Sequence, residues 1–262
     1  MSLSINPIEN SSTSGFVWTV EDEDELARMV ARVYLGHWNH VQKILMKLGK
    51  GAPPVADGAV IEAKARLNVN GTSWHRDGLL FQAISWIAAH KLSGSTPSVI
   101  SLPHLIPAHK GFDGIQIELD DQHELRGVLV FEDKASENAR AIITSEVWPE
   151  FRLLESGARE TELMQETTAL LQRGQVPDID QIIEGIVWKK IRKFRVSVTG
   201  EPKHGTVSGF AKLFKDYEAV APGTDPAKRR AEVICLADVR VWLDAFAQRV
   251  EQAIDKEKSG SV

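Results

Sequence analysis

The 262-residue chain is 43% hydrophobic and 26% charged, with 19 Gly and 11 Pro, a globular profile that excludes a disordered, collagenous or coiled-coil protein. A single cysteine, Cys235, excludes a disulfide framework and any Cys-x-x-Cys metal site, and fits a reducing, cytoplasmic setting. Net charge is −5, yet residues 186–230 hold eleven Lys/Arg against four Asp/Glu and leave −12 on the remainder, so one basic segment is a candidate phosphate-facing surface.

Residues 1–15, rich in Ser, Thr, Asn and Gly, predict a disordered N-terminus without the basic and apolar regions of a signal peptide. Residues 16–58 read as a helical segment. An acidic turn from Glu21 opens a helix with Leu26, Met29, Val30, Val33 and Tyr34 at helical spacing, which resumes at Val41, Ile44, Leu45 and Leu48. A strand is expected over 59–69 and a turn at Asn70-Gly71. Thr72 or Ser73 then caps a helix to Lys91, with Leu79, Leu80, Ala83, Ile84, Ile87 and Ala88 inward.

A short strand near Val99-Ile100 leads to a loop over 103–110 and to two strands, 112–119 and 125–134. Ser136 caps a helix that Pro149 ends, and 161–173 is a further helix. The last third reads as a helix near 179–186, a strand over 193–199 and a helical stretch over 209–217. A strand over 232–236, a final helix from Asp238 to about Lys256 and a flexible tail over 257–262 complete the order. The class is α/β with a mixed sheet, and 59–256 forms the main domain. The longest apolar stretch, 81–89, is about half of what a bilayer span requires, so no membrane association is expected.

The strands 112–119 and 125–134 carry the chemistry. If their turn centres between Gln122 and His123, Asp113 falls opposite Glu132, Ile115 opposite Val130, and Ile117 opposite Val128. Lys134, two residues beyond Glu132, projects from the same face. One face is therefore apolar until its end, where it presents an acid pair and a lysine. Two carboxylates and a carbonyl near Asp133 are hard ligands suited to Mg²⁺ or Mn²⁺, which stabilise charge on a phosphodiester. Lys134 could orient or help deprotonate the attacking water, or stabilise the transition-state phosphate. The plainer alternative is a solvated strand end with an ordinary ion pair. Glu62-Ala-Lys64 repeats the tripeptide pattern, but its nearest upstream acid, Asp57, is too close to pair with it across a turn.

Asp113 followed by Glu132-Asp133-Lys134 resembles the signature of the PD-(D/E)xK nuclease superfamily, an acid on one strand and (D/E)xK on the next. The resemblance covers about 72–155. It implies a restriction-endonuclease-like αβββαβ core with helical N-terminal and α/β C-terminal elaborations. It also implies DNA as substrate, catalytic roles for Asp113, Glu132 and Lys134, and Mg²⁺ held by Asp113, Glu132 and Asp133. Phe112 replaces the family's proline, and the preceding helix offers Asp77 and Gln82 where a glutamate often stands. The segment Val233-Ile-Cys-Leu-Ala-Asp-Val-Arg-Val-Trp-Leu, with GFDG and FEDKA, is similar to the HamA-like nuclease subunit of Hachiman antiphage defence. That similarity implies a prokaryotic antiphage effector restrained or activated by a helicase-like protein partner.

Lys110, Lys189, Lys190, Arg192, Lys193 and Arg195 are candidate nucleic-acid contacts; the alternative for the later five is an edge strand protected by charge. His104, His109 and Lys110 could border a substrate groove. Trp74, Trp86, Trp148, Trp188 and Trp242 are assigned to core or interface rather than to base stacking. His37 and His40 read as an ordinary helix surface. The sequence has no Walker, GxGxxG, GxSxG or HExxH motif, so ATP, NAD and serine-hydrolase chemistry have no basis in it. The alternative function is a catalytically inactive nuclease-fold module that binds nucleic acid or a protein partner.

Overall fold

The computed structural model describes residues 2–48, 51, 53–68, 73–94, 96–106, 111–122, 124–174, 179, 180, 183 and 192–259. A seven-stranded mixed sheet organises them in the order β1-β2-β7-β6-β5-β4-β3. At one edge β1 (Leu3–Ile8) and β2 (Ser14–Val20) pair antiparallel. Next, β7 (Arg229–Cys235), β6 (Arg192–Gly200) and β5 (Leu125–Lys134) continue parallel from β2. Finally β4 (Gly114–Leu119) and β3 (Ser98–Ile100) reverse to antiparallel at the other edge. The N-terminal hairpin corrects the expectation of disorder over 1–15. Leu3 and Trp18 are buried in it, and the polar run from Asn10 forms the turn, where the Asn10 side chain accepts from the Ser12 N–H.

Helices cover both faces. One face carries α1 (Glu23–Tyr34), α2 (Trp38–Leu45), α3 (Asp57–Leu67), α4 (Ser73–Ser93) and α10 (Val239–Ser259). The other carries α5 (Ala139–Ile142), α6 (Trp148–Glu155), α7 (Glu160–Arg173), α8 (Val207–Leu213) and α9 (Tyr217–Val220). Strand alternation divides β5 between the two cores: Leu129 and Phe131 enter the first, Val128 and Val130 the second. Ile115 and Ile117 join Val128 and Val130, as the hairpin pattern predicts.

The inward set expected of α4 is buried throughout, and so is that of α1, whose first turn Asp22 caps by accepting from the Glu25 N–H. The strand expected over 59–69 is instead helix α3 over most of its length. Val60, Ala63 and Leu67 are its buried positions, a spacing of three and four rather than two, and Ala, Glu, Lys and Arg between them favour helix. Pro149 does not end a helix. The chain widens into a π-turn over Ile143–Val147, the Trp148 N–H reaches back to the Ile143 carbonyl, and Pro149 enters the first turn of α6. The widened turn removes the bond and the carbonyl that a mid-helix proline would disrupt.

The helix expected near 179–186 lies largely outside the described residues, as do His109, Lys110, Trp188, Lys189 and Lys190. Among the described residues no helix is long and apolar enough to cross a membrane.

Candidate functional site

The acidic cluster lies at the C-terminal end of β5, which pairs parallel with β6 on one side and antiparallel with β4 on the other. Gly114 pairs with Phe131, Ile115 with Val130, Gln116 with Leu129 and Ile117 with Val128, the register counted from the hairpin. A bulge after Glu118 shifts only the turn end. Asp113 precedes this ladder by one residue and extends it through its side chain. The Asp133 N–H donates to Asp113 Oδ2 at 2.8 Å, and Gln82 Nε2 on α4 donates to Oδ1 at 2.6 Å.

Alternation separates the three residues that follow Phe131. Glu132 and Lys134 continue the face of Val128 and Val130. Lys134 Nζ lies 3.4 Å from Glu132 Oε2 and 3.5 Å from Oε2 of Glu146, which projects from the π-turn. Asp133 continues the opposite face. Ser85 Oγ donates to its Oδ1 at 2.7 Å, and Arg195 Nη1 lies 3.7 Å from the same atom. Asp113, Asp133, Lys134, Gln82 and Glu146 line a cavity of about 420 Å³. Glu132 is 6% exposed and is not part of the lining; it reaches the cavity through Lys134.

The charges do not balance. Burial, reinforced by the charge of Asp113, pushes the Glu132 carboxyl up to about 8. Burial raises Asp133 to about 7, with Arg195 pulling the other way and Asp113 adding to the rise. Asp113 itself is raised by burial against the pull of Lys134. Burial alone would depress the Lys134 ammonium, but Glu132, Asp113 and Glu146 outweigh it and hold the group up to about 12. Lys134 is therefore a fixed cation beside three carboxyls that resist simultaneous ionisation. Among the described residues no three His, Cys, Asp or Glu side chains form a metal-holding group. Mg²⁺ asks for less, since it binds through one or two carboxylates with water and phosphate in its remaining positions. Asp113 with Glu132 or Asp133 meets that requirement chemically.

Other expected contributors are elsewhere. Asp77 is buried against the Arg76 and Arg240 guanidinium groups, so only Gln82 of the two α4 candidates reaches the cluster. The basic strip is not an external surface where it is described, because β6 is an interior strand between β5 and β7 rather than an edge. Arg192 donates to the Leu154 carbonyl at 2.6 Å and to Glu160 at 3.1 Å. Lys193 pairs with Glu118 at 2.5 Å. Arg195 forms a bidentate pair with Glu232, at 2.9 and 2.8 Å, with both residues 0% exposed. These three cations serve internal partners.

His104 does border the site. It lines the cavity, and its Nε2 donates to the Phe112 carbonyl at 2.7 Å, next to Asp113. Of the tryptophans assigned to core or interface, Trp74 is not in the core: it is 61% exposed and lines the cavity, whereas Trp86 and Trp148 are buried and Trp242 stacks on Phe246 at 4.7 Å. Ser85 has a sequence signal, a hydroxyl interrupting the apolar run of α4. Glu146 has none, since its aim depends on the π-turn. No protein-family model, curated protein or solved structure matches the chain, so the chemistry assigned to this site rests on the residues just described.

Proposed function

We propose that the chain is a Mg²⁺- or Mn²⁺-dependent nuclease that hydrolyses DNA phosphodiester bonds. The observation that carries this reading is the convergence of Asp113, Glu132 and Asp133, three carboxyls raised by burial and mutual proximity, beside the Lys134 cation at a cavity wall. Such an excess of buried acid is relieved by a divalent cation, which Asp113 and Glu132 or Asp133 would hold. The bound ion would supply charge neutralisation on a phosphodiester and a more acidic water.

The chain's own groups have distinct parts. Gln82 and the Asp133 N–H fix the Asp113 carboxylate through both its oxygens. Ser85 orients Asp133 from behind. Lys134 stabilises negative charge developing on the phosphate rather than accepting a proton, because its neighbours keep it protonated. The order α4, β3–β4–β5, α5–α7, β6 follows the α-βββ-α-β sequence of a restriction-endonuclease-like core, which supports the resemblance to PD-(D/E)xK nucleases. Similarity to HamA-like subunits extends the proposal to a cytoplasmic effector of antiphage defence, held in check or triggered by a helicase-like partner.

The test is cleavage of plasmid and single-stranded DNA with Mg²⁺, Mn²⁺ or EDTA. Wild type should cut only with metal, and Glu132→Gln and Lys134→Ala should each slow cutting by about 100-fold or more. Wild type inert with both metals, or variants that cut like wild type, would remove hydrolysis; retained DNA binding without cleavage would then select the inactive binding module.

A further inference from the structure

The carboxyls at the end of β5 are sunk below the surface: Glu132 is 6% and Asp133 8% exposed. A phosphodiester that reaches them must descend into the cavity. Bases held in a paired stack oppose that descent, whereas an unpaired strand can splay its bases apart at little cost. At the same cavity stand two large apolar side chains that the core does not use, Trp74 at 61% and Ile106 at 66% exposed. Trp74 belongs to the first turn of α4, eight residues before Gln82, and His75 meets its indole edge-on with ring centroids 6.1 Å apart. These two exposed apolar groups share one wall with Asp113, Asp133 and Lys134, where together they offer an apolar contact beside the acids.

We propose that Trp74, with Ile106 in the same lining, stacks on an unpaired nucleobase and so directs the site to single-stranded or locally melted DNA. This rests on the hydrolytic reading for its setting and adds the substrate class. The internal pairing of Arg192, Lys193 and Arg195 with Glu160, Glu118 and Glu232 strengthens it. Among the described residues, those three cations are engaged by acids of the fold rather than left free for a DNA backbone. An indole face accepts any base, so the preference is for strandedness and not for sequence.

The experiment measures binding by fluorescence anisotropy in Mg²⁺, in a Lys134→Ala parent that keeps the oligonucleotide whole. The probes are a short thymidine oligonucleotide, an abasic phosphodiester chain of the same length, and a hairpin duplex. The parent should prefer the thymidine strand over the abasic chain by about 10-fold, the contribution expected of one stacked base. Trp74→Ala should erase that preference without altering the thermal midpoint or the affinity for the abasic chain, and Trp74→Phe should keep most of it. Equal binding of thymidine and abasic strands by the parent, an unchanged preference in Trp74→Ala, or an equal loss on all three probes would overturn the inference. Failure of the hydrolytic reading looks different. A Trp74-dependent preference with no metal-dependent cleavage in wild type removes hydrolysis alone. Lys134-dependent cleavage of a single-stranded oligonucleotide at undiminished rate in Trp74→Ala removes the stacking role alone.

Discussion

Replacing Arg195 with methionine separates an interior strut from a DNA-contacting side chain. Arg195 and Glu232 sit on adjacent interior strands, β6 and β7, joined by two charge-assisted hydrogen bonds at 2.9 and 2.8 Å with no solvent exposure at either residue. The guanidinium also lies 4.4 Å from the Phe131 ring and donates to Ser85 Oγ at 2.9 Å. Methionine keeps the length and the packing but strands the Glu232 carboxylate in the interior. Breaking a buried pair in this way costs about 3–5 kcal/mol. Native domains hold only about 5–15 kcal/mol in total, so a large share of the stability goes. Urea unfolding followed by tryptophan fluorescence reads the loss. The partner variant Arg195→Met/Glu232→Leu removes both charges of the pair and should recover part of it, the remainder being the buried Asp133 that also loses Arg195. A loss below about 1 kcal/mol in the single variant, or a double variant as unstable as the single one, refutes the strut.

Two pH dependences follow from burial. Glu132 has its folded value pushed up to about 8 against an ordinary 4.5, so its favourable contribution is complete below 4.5 and fades as pH rises through 8. Glu132→Gln should therefore make the metal-free protein more stable than wild type at alkaline pH, even as it removes activity; equal urea midpoints at pH 9 contradict the assignment. His90 moves oppositely: burial lowers it from 6.5 to about 4, with Gln42 at 3.2 Å and the Trp86 ring at 4.3 Å. The unfolded chain takes up the proton first, so stability is intact above 6.5 and falls by on the order of 3 kcal/mol as pH drops to about 4. His90→Gln should flatten that slope in pH-dependent unfolding, and an unchanged slope counts against it.

The site was legible where one local rule decided the geometry. Period-two alternation along 125–134 and a hairpin count placed Asp113 beside Glu132 and Lys134, because Val128 and Val130 had to share a core with Ile115 and Ile117. Legibility failed where the deciding partner was distant in sequence. Arg195 reads as surface charge next to Lys193 and Arg192, since its partner Glu232 arrives only when β7 docks on β6. The helix α3 was missed because Ala59 to Leu67 carries β-branched Val60 and Ile61 at its start, although its charged and alanine positions repeat at helical spacing. The β1–β2 hairpin was missed because a polar turn outweighed Leu3, Phe16 and Trp18 in a composition count.

Charge, which first marked the late segment as a phosphate surface, ends with a different meaning. Among the described residues several of that segment's cations lie against acids, Arg192 on Glu160, Lys193 and Arg230 on Glu118, Arg195 on Glu232, and Lys228 on Glu155, while Arg229 is held by backbone carbonyls and Lys212 and Lys215 are exposed. The cavity lining sets Asp113, Asp133 and Glu146 against Lys134, and burial keeps Asp113 and Asp133 from ionising readily without a cation beside them. On the proposed reading, a divalent cation held by these carboxyls would turn them into an anchor for the substrate. Under the nuclease proposal, the hold on DNA would rest on that ion and on the exposed Trp74.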